Sequence, residues 1–83
     1  MRITLKLFAS LSDYLPSGSL NNRVELDVAE NETVTAIIEL NHLPEKLVHL
    51  VLVNGVYLSP SERATRCLVE GDHLAIWPPI AGG

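Results

Sequence analysis

The chain holds a single cysteine, Cys67, so it has no internal disulfide and nothing in it points to an oxidising compartment. Basic residues are scarce as well: six Lys and Arg stand against ten Asp and Glu, a net charge of -4, and the six are scattered along the chain. A binder of phosphate backbones gathers such residues into a patch, so no nucleic-acid partner is expected. No apolar run approaches the length of a bilayer span, and an alternating pattern begins directly after Met1-Arg2 without a signal-peptide core. The expectation is a soluble, cytoplasmic protein with no membrane partner. Neither a phosphate-cradling glycine loop nor a nucleophile with a partnered base is present, so an enzyme acting alone is not expected.

Several residues invite a chemical role and have simpler explanations. His42, His49 and His73 lack the close spacing of zinc ligands, so no metal site is expected. Cys67 has no His-Asp or Cys-x-x-Cys context and reads as an inert small residue, isolated cysteines being common in interiors. Glu30 with Glu32, and Glu70 with Asp72, each flank a turn or a helix start, where acidic residues are expected for local reasons. Arg63 and Arg66 near Glu62 could meet a phosphate or a partner's acid, but read more simply as a solvated loop.

What is present is a globular composition, 47% hydrophobic and 19% charged, in 83 residues. That is one domain whose core is small enough to need every element. Ile3 to Phe8 alternates, with Ile3, Leu5 and Leu7 on one face, which predicts a half-buried strand. Ser10 to Leu15 changes period, Leu11, Tyr14 and Leu15 falling at i, i+3 and i+4, and predicts a short helix closed by Pro16. After a polar loop, Val24, Leu26 and Val28 alternate with Arg23, Glu25 and Asp27 as a second strand. Thr33 can cap a main helix carrying Val34, Ile37 and Ile38, with Glu30 and Glu32 near its positive end. Asn41 or Pro44 closes that helix, and Pro44 to Leu47 can add a turn with the proline at its first position.

His49 to Val53 is continuously apolar, as in a strand covered on both faces. Asn54-Gly55 is a hairpin signal, both positions needing positive φ, and it returns the chain through Val56-Tyr57-Leu58. Ser59-Pro60 breaks that strand, and Ser61 to Val69 shows no clear period. Glu70-Gly71-Asp72 turns into a last strand, His73 to Trp77, with Leu74 and Ile76 inward. The expected fold class is α+β: a mixed four- to five-stranded sheet with one main helix on one face.

Residues 1–77 make this domain, and residues 78–83 a tail. Pro78 and Pro79 forbid a helix or a central strand and favour a stiff, extended run, with Ile80, Ala81, Gly82 and Gly83 beyond them. Fully extended, those six residues span roughly 20 Å, enough to enter a neighbour's active site. Gly82 and Gly83 have no side chain to obstruct a narrow slot. Many chains end in loose small residues, so the context has to decide.

Four stretches supply that context: Leu5-Lys6-Leu7-Phe8-Ala9, Leu52-Val53-Asn54-Gly55, Glu70-Gly71-Asp72, and Ala75-Ile76-Trp77-Pro78-Pro79-Ile80-Ala81-Gly82-Gly83. In this order, over the whole chain, they resemble the small sulfur-carrier subunit of molybdopterin synthase, of the ubiquitin-like β-grasp family. The most specific part is the Gly-Asp turn one strand before an aromatic-Pro-Pro-aliphatic-Ala-Gly-Gly ending. The related carrier of thiamine thiazole synthesis shares the Gly-Gly end, but is usually shorter and less often carries the Pro-Pro. The segment from Ser59 to Arg66 looks longer than in typical members, and the helix ending at Asn41 shorter.

The resemblance implies a carrier protein, not an enzyme, acting as small subunit and sulfur-donating co-substrate of a molybdopterin synthase. A ubiquitin-activating-like adenylyltransferase would use ATP to adenylate the Gly83 carboxylate. A sulfur donor such as a cysteine desulfurase or rhodanese would then leave a C-terminal thiocarboxylate, and the large synthase subunit would take the tail so that sulfur passes to a pterin precursor. A carboxylate is a poor electrophile until it carries a phosphate leaving group, and a thiocarboxylate should ionise readily, so this domain needs no base and no tightly bound cofactor. If the first and last strands lie parallel and adjacent, Phe8 and Trp77 share the face away from the helix at the tail's root, and Tyr57 could join them. Such aromatics would either dock a partner or merely cover the open face. A carrier for thiazole, a ubiquitin-like modifier of lysines, and a plain interaction module are the alternatives.

Overall fold

The computed structural model describes residues 1–79. Five strands form one sheet: β1 Arg2–Leu7, β2 Arg23–Asp27, β3 Leu50–Val53, β4 Val56–Tyr57 and β5 His73–Trp77. Their order across the sheet is β2-β1-β5-β3-β4, with β1 and β5 parallel at its centre and the other pairs antiparallel. One α-helix, α1 Val34–Leu40, contributes Val34 and Ile37 to the core. Those side chains meet Ile3, Leu5, Leu7, Val51, Val53, Leu74 and Ile76, the inward positions of three strands. The alternation of β1 and β5 therefore becomes the core directly, because a period of two puts every second side chain on the helix side.

At seven residues α1 is too short to stand by propensity, so its ends and its packing must hold it. The first three N–H groups of the helix find acceptors outside its own ladder: Val34 donates to the Arg66 carbonyl, Thr35 to that of Arg63 and Ala36 to the Thr33 side chain, after which Ile37 makes the first helical bond, to the Thr33 carbonyl. Thr33 is thus the expected cap. Neither Glu30 nor Glu32 falls in the first turn; Glu30 instead lies 3.6 Å from the Met1 amine. At the other end His42 takes a left-handed φ of 58°, its N–H bonding to the Glu39 carbonyl while Leu43 bonds to that of Ile38. This paired arrangement closes the helix at Asn41, before Pro44 is reached.

Several expected elements shift. The short helix becomes a 3-10 turn, Ala9–Tyr14, which buries Leu11. Pro44 precedes the 3-10 turn Glu45–Leu47 as its cap residue and does not begin it. The region after Ser59 is not featureless: Ser59 and Glu62 bond reciprocally around a turn at Pro60–Glu62. The Ser59 N–H donates to the Glu62 carboxylate at 2.9 Å, and with the Ser59 hydroxyl this holds that carboxyl below its usual range. β3 is covered on one face only, Val51 and Val53 being buried while Leu50 and Leu52 are half-buried on the sheet's open side. Its apolar run is continuous because the open side has an apolar patch of its own. Cys67 is exposed, not interior, since Leu68 takes the inward position beside it.

The end of the sheet opposite the tail is tied by one carboxylate. Asp72, 5% exposed, accepts from Asn54 Nδ2 at 2.8 Å and from the Val69 N–H at 2.9 Å, while Asn54 Oδ1 accepts from the His73 N–H at 2.9 Å. Asn54 (φ 52°) and Gly55 (φ 82°) form the expected left-handed hairpin turn, so one asparagine serves both the turn and the clasp. Asp72→Ala strands two donors, and a loss of about 2–3 kcal/mol is expected in urea unfolding. A loss below about 0.5 kcal/mol would mean that water replaces the clasp.

Candidate functional site

The β1–β5 register builds the site. Leu7 lies opposite Ile76, so one further step along both strands brings Phe8 beside Trp77. Their rings stack with centroids 4.2 Å apart and planes 2° from parallel, on the face away from α1. The backbone is held on both flanks at this point: the Phe8 N–H donates to the Ile76 carbonyl at 3.2 Å and the His49 N–H to the Trp77 carbonyl at 3.0 Å. Ala9 then turns the chain away with a left-handed φ of 51°, an uncommon conformation for a residue with a side chain. Pro78 has no N–H, so it cannot extend the ladder as a donor. Trp77 is therefore the last sheet residue, and Pro78 and Pro79 follow outside any regular element.

Of the expected site residues, the structure brings Phe8 and Trp77 together. Tyr57 lies opposite Leu52, on the same face but at the far edge strand, 54% exposed and without ring contact to the pair. Leu50 faces Trp77 across β3 and β5, so the stack continues into an apolar strip through Leu50, Leu52 and Tyr57. Ile80, Ala81, Gly82 and Gly83 lie outside the described residues.

The charges on this face are sorted along β1. At the end away from the tail Arg2 is saturated, its guanidinium bonding Asp27 at 3.1 Å and Glu25 at 3.3 Å. The hydrogen bond and charge of Arg2 hold Asp27 below the usual carboxylate range, and Asp27 in turn raises Arg2. At the tail end Lys6 and Arg23 sit directly opposite each other, and among the described residues neither is ion-paired. Sequence reasoning missed this juxtaposition, since the two residues are far apart in the chain and meet only through strand register. Arg63 does not lie in a merely solvated loop: it is half-buried, its Nη2 donating to the His49 carbonyl at 3.0 Å, and so ties its loop to the start of β3.

Among the described residues no group of three or more His, Cys, Asp and Glu could hold a metal, and no helix is long and apolar enough to cross a membrane. The candidate surface is a strand end bonded on both flanks, an aromatic pair beside it and an open sheet face.

These features define a ubiquitin-like β-grasp protein, with its sheet anchored up to the root of the C-terminal segment. The chain belongs to the Mut7-C ubiquitin family, which matches residues 1–81. Solved structures share the fold over its full length. SAMP1 from Haloferax volcanii is 27% identical with a TM-score of 0.68, each chain being covered completely. The thiamine biosynthesis protein ThiS from Geobacter metallireducens is 19% identical, TM-score 0.67, again over 100% of both chains. A chain from the complex of subunits 1 and 2 of the Helicobacter pylori molybdopterin-converting factor is 15% identical, TM-score 0.60, with the same full coverage. No curated protein matches the chain.

Proposed function

We propose that this protein is a sulfur carrier, loaded at the Gly83 carboxylate, that supplies the sulfur of molybdopterin. The observation that carries this reading is the tail root: a strand bonded on both flanks to its last residue, then two prolines, then Ile80-Ala81-Gly82-Gly83. A rigid base limits the volume the tail must search, and the bare glycines let its carboxylate enter a partner's slot. In the first step the carboxylate attacks the α-phosphorus of ATP on a ubiquitin-activating-like enzyme, releasing pyrophosphate and forming an acyl adenylate. A persulfide from a cysteine desulfurase or rhodanese then displaces AMP, and reductive cleavage of the sulfur–sulfur bond by a thiol leaves the thiocarboxylate. In the cytoplasm the large synthase subunit would bind the tail and pass that sulfur to the pterin precursor. The Helicobacter pylori complex of subunits 1 and 2 is consistent with such a pairing.

Likeness at 27% identity to SAMP1, named small archaeal modifier protein 1, favours a second reading, a ubiquitin-like modifier of protein lysines, and the ThiS likeness keeps a thiazole acceptor in view. All three begin with the same adenylate. Incubation with an activating enzyme and ATP is expected to release pyrophosphate, and deletion of Gly83 to reduce release to background, because it withdraws the carboxylate by about 3.5 Å. Full activity of the deleted chain would sink the carrier reading. Intact mass from cells then separates the outcomes: oxygen replaced by sulfur for a carrier, a lysine conjugate for a modifier.

A further inference from the structure

We propose that Lys6 and Arg23, next to the Phe8–Trp77 stack, receive an acidic strip on the enzyme that loads the tail, whose apolar socket takes the two rings. This deepens the carrier reading and rests on it. Like charges directly opposite in an antiparallel pair sit about 5 Å apart at Cβ and repel, so this arrangement works against the fold. Arg2, at the other end of the same face, is by contrast neutralised by Asp27 and Glu25. The chain carries a net charge of -4, yet the part of the open face nearest the tail root presents two positive charges with no ion-pair partner among the described residues. Beside Arg23 a recess of ≈ 620 Å³, bordered by Thr4, Leu20, Asn21, Glu25 and His73, leaves room for an entering side chain. The complement of this surface is a protein patch with carboxylates flanking an apolar centre. Such peripheral charges steer encounter and fix orientation, so they act mainly on association rate.

The test uses the full chain as substrate of a purified ubiquitin-activating-like adenylyltransferase with ATP, read by pyrophosphate release at several NaCl concentrations. KM for the wild-type chain should rise with salt. Lys6→Glu and Arg23→Glu should each raise KM about tenfold at low salt and flatten the salt dependence, with the loss in KM and not in kcat. Lys6→Arg and Arg23→Lys should stay within about twofold of wild type, as a charge requirement demands. Lys6→Glu also places opposite charges across the β1–β2 pair, so its melting temperature should equal or exceed wild type while KM worsens. A purely structural role predicts that stability and KM fall together, and that pattern overturns the proposal. Unchanged KM in both reversals overturns it too and leaves the carrier reading standing. Absence of any wild-type adenylate overturns both.

Discussion

Leu5→Ala is expected to remove about 3–5 kcal/mol of stability, the largest loss of any single truncation considered for this chain. Leu5 has no exposed surface, lies in the middle of β1, and is opposite Val24 on one flank and Leu74 on the other. Its side chain thus fills the layer shared by the two strands that the whole sheet is built around, and neighbours held by ladders on both sides cannot collapse into the void. A domain of 83 residues holds a total of about 4–12 kcal/mol at the usual per-residue stability, so the variant stands close to unfolding at room temperature. Urea titration checks this: the midpoint should drop by at least about 1 M with little change in slope. A loss under about 1 kcal/mol would show that the core closes around the gap, and that the central pair is not its pivot.

Trp77→Ala should weaken complex formation with the activating enzyme by about thirtyfold or more while leaving a folded domain. Trp77 is half-buried, on the open face and not in the core cluster, so its removal leaves no internal cavity. What the fold loses is the stack on Phe8, worth about 0.5–1.5 kcal/mol, together with some cover over Leu50. A large, rigid ring at the base of the C-terminal segment is the kind of side chain that anchors interfaces, where truncation commonly costs 2 kcal/mol or more. The two uses of the ring predict different results. If it only covers the sheet, melting temperature falls and KM for adenylation does not; if it docks a partner, KM rises in a protein whose spectra remain native. Unfolding of the variant at room temperature would end the docking role.

Much of this architecture could be read from the sequence because its local signals agree with its packing. Ile3, Leu5 and Leu7, and later Leu74 and Ile76, alternate in the sequence and are buried in the structure. Thr33 and Asn54-Gly55 act where their chemistry says they should. The Phe8–Trp77 contact follows directly from the parallel pairing of the first and last strands. What the sequence concealed has two causes: local turns that carry no recognised signal, and relations that only the fold creates. The helix does close at Asn41, one of the two expected ends, but the left-handed residue after it is a histidine, which carries no stop signal of its own. The Ser59–Glu62 box was present as a pattern but precedes no apolar periodicity, so it looked like a plain break. Cys67 and Leu68 differ by one position, and only the fold decides which faces in. The Lys6–Arg23 pairing needs the β1–β2 register, which the 3-10 turn and polar loop between the two strands conceal.

The parallel pairing of β1 with β5 also sets how the molecule answers a pull. Because the strands nearest the two ends of the chain run side by side in the same direction, tension between those ends loads the hydrogen bonds joining them in shear, all together, rather than unzipping them one at a time. Rupture under such a load is governed by the unfolding rate, and the clasp at Asp72 fastens the start of the strand on which an unfolding motor gripping the tail would draw. A pull on the C-terminal end would therefore meet a body that keeps its shape until the whole β1–β5 ladder gives way.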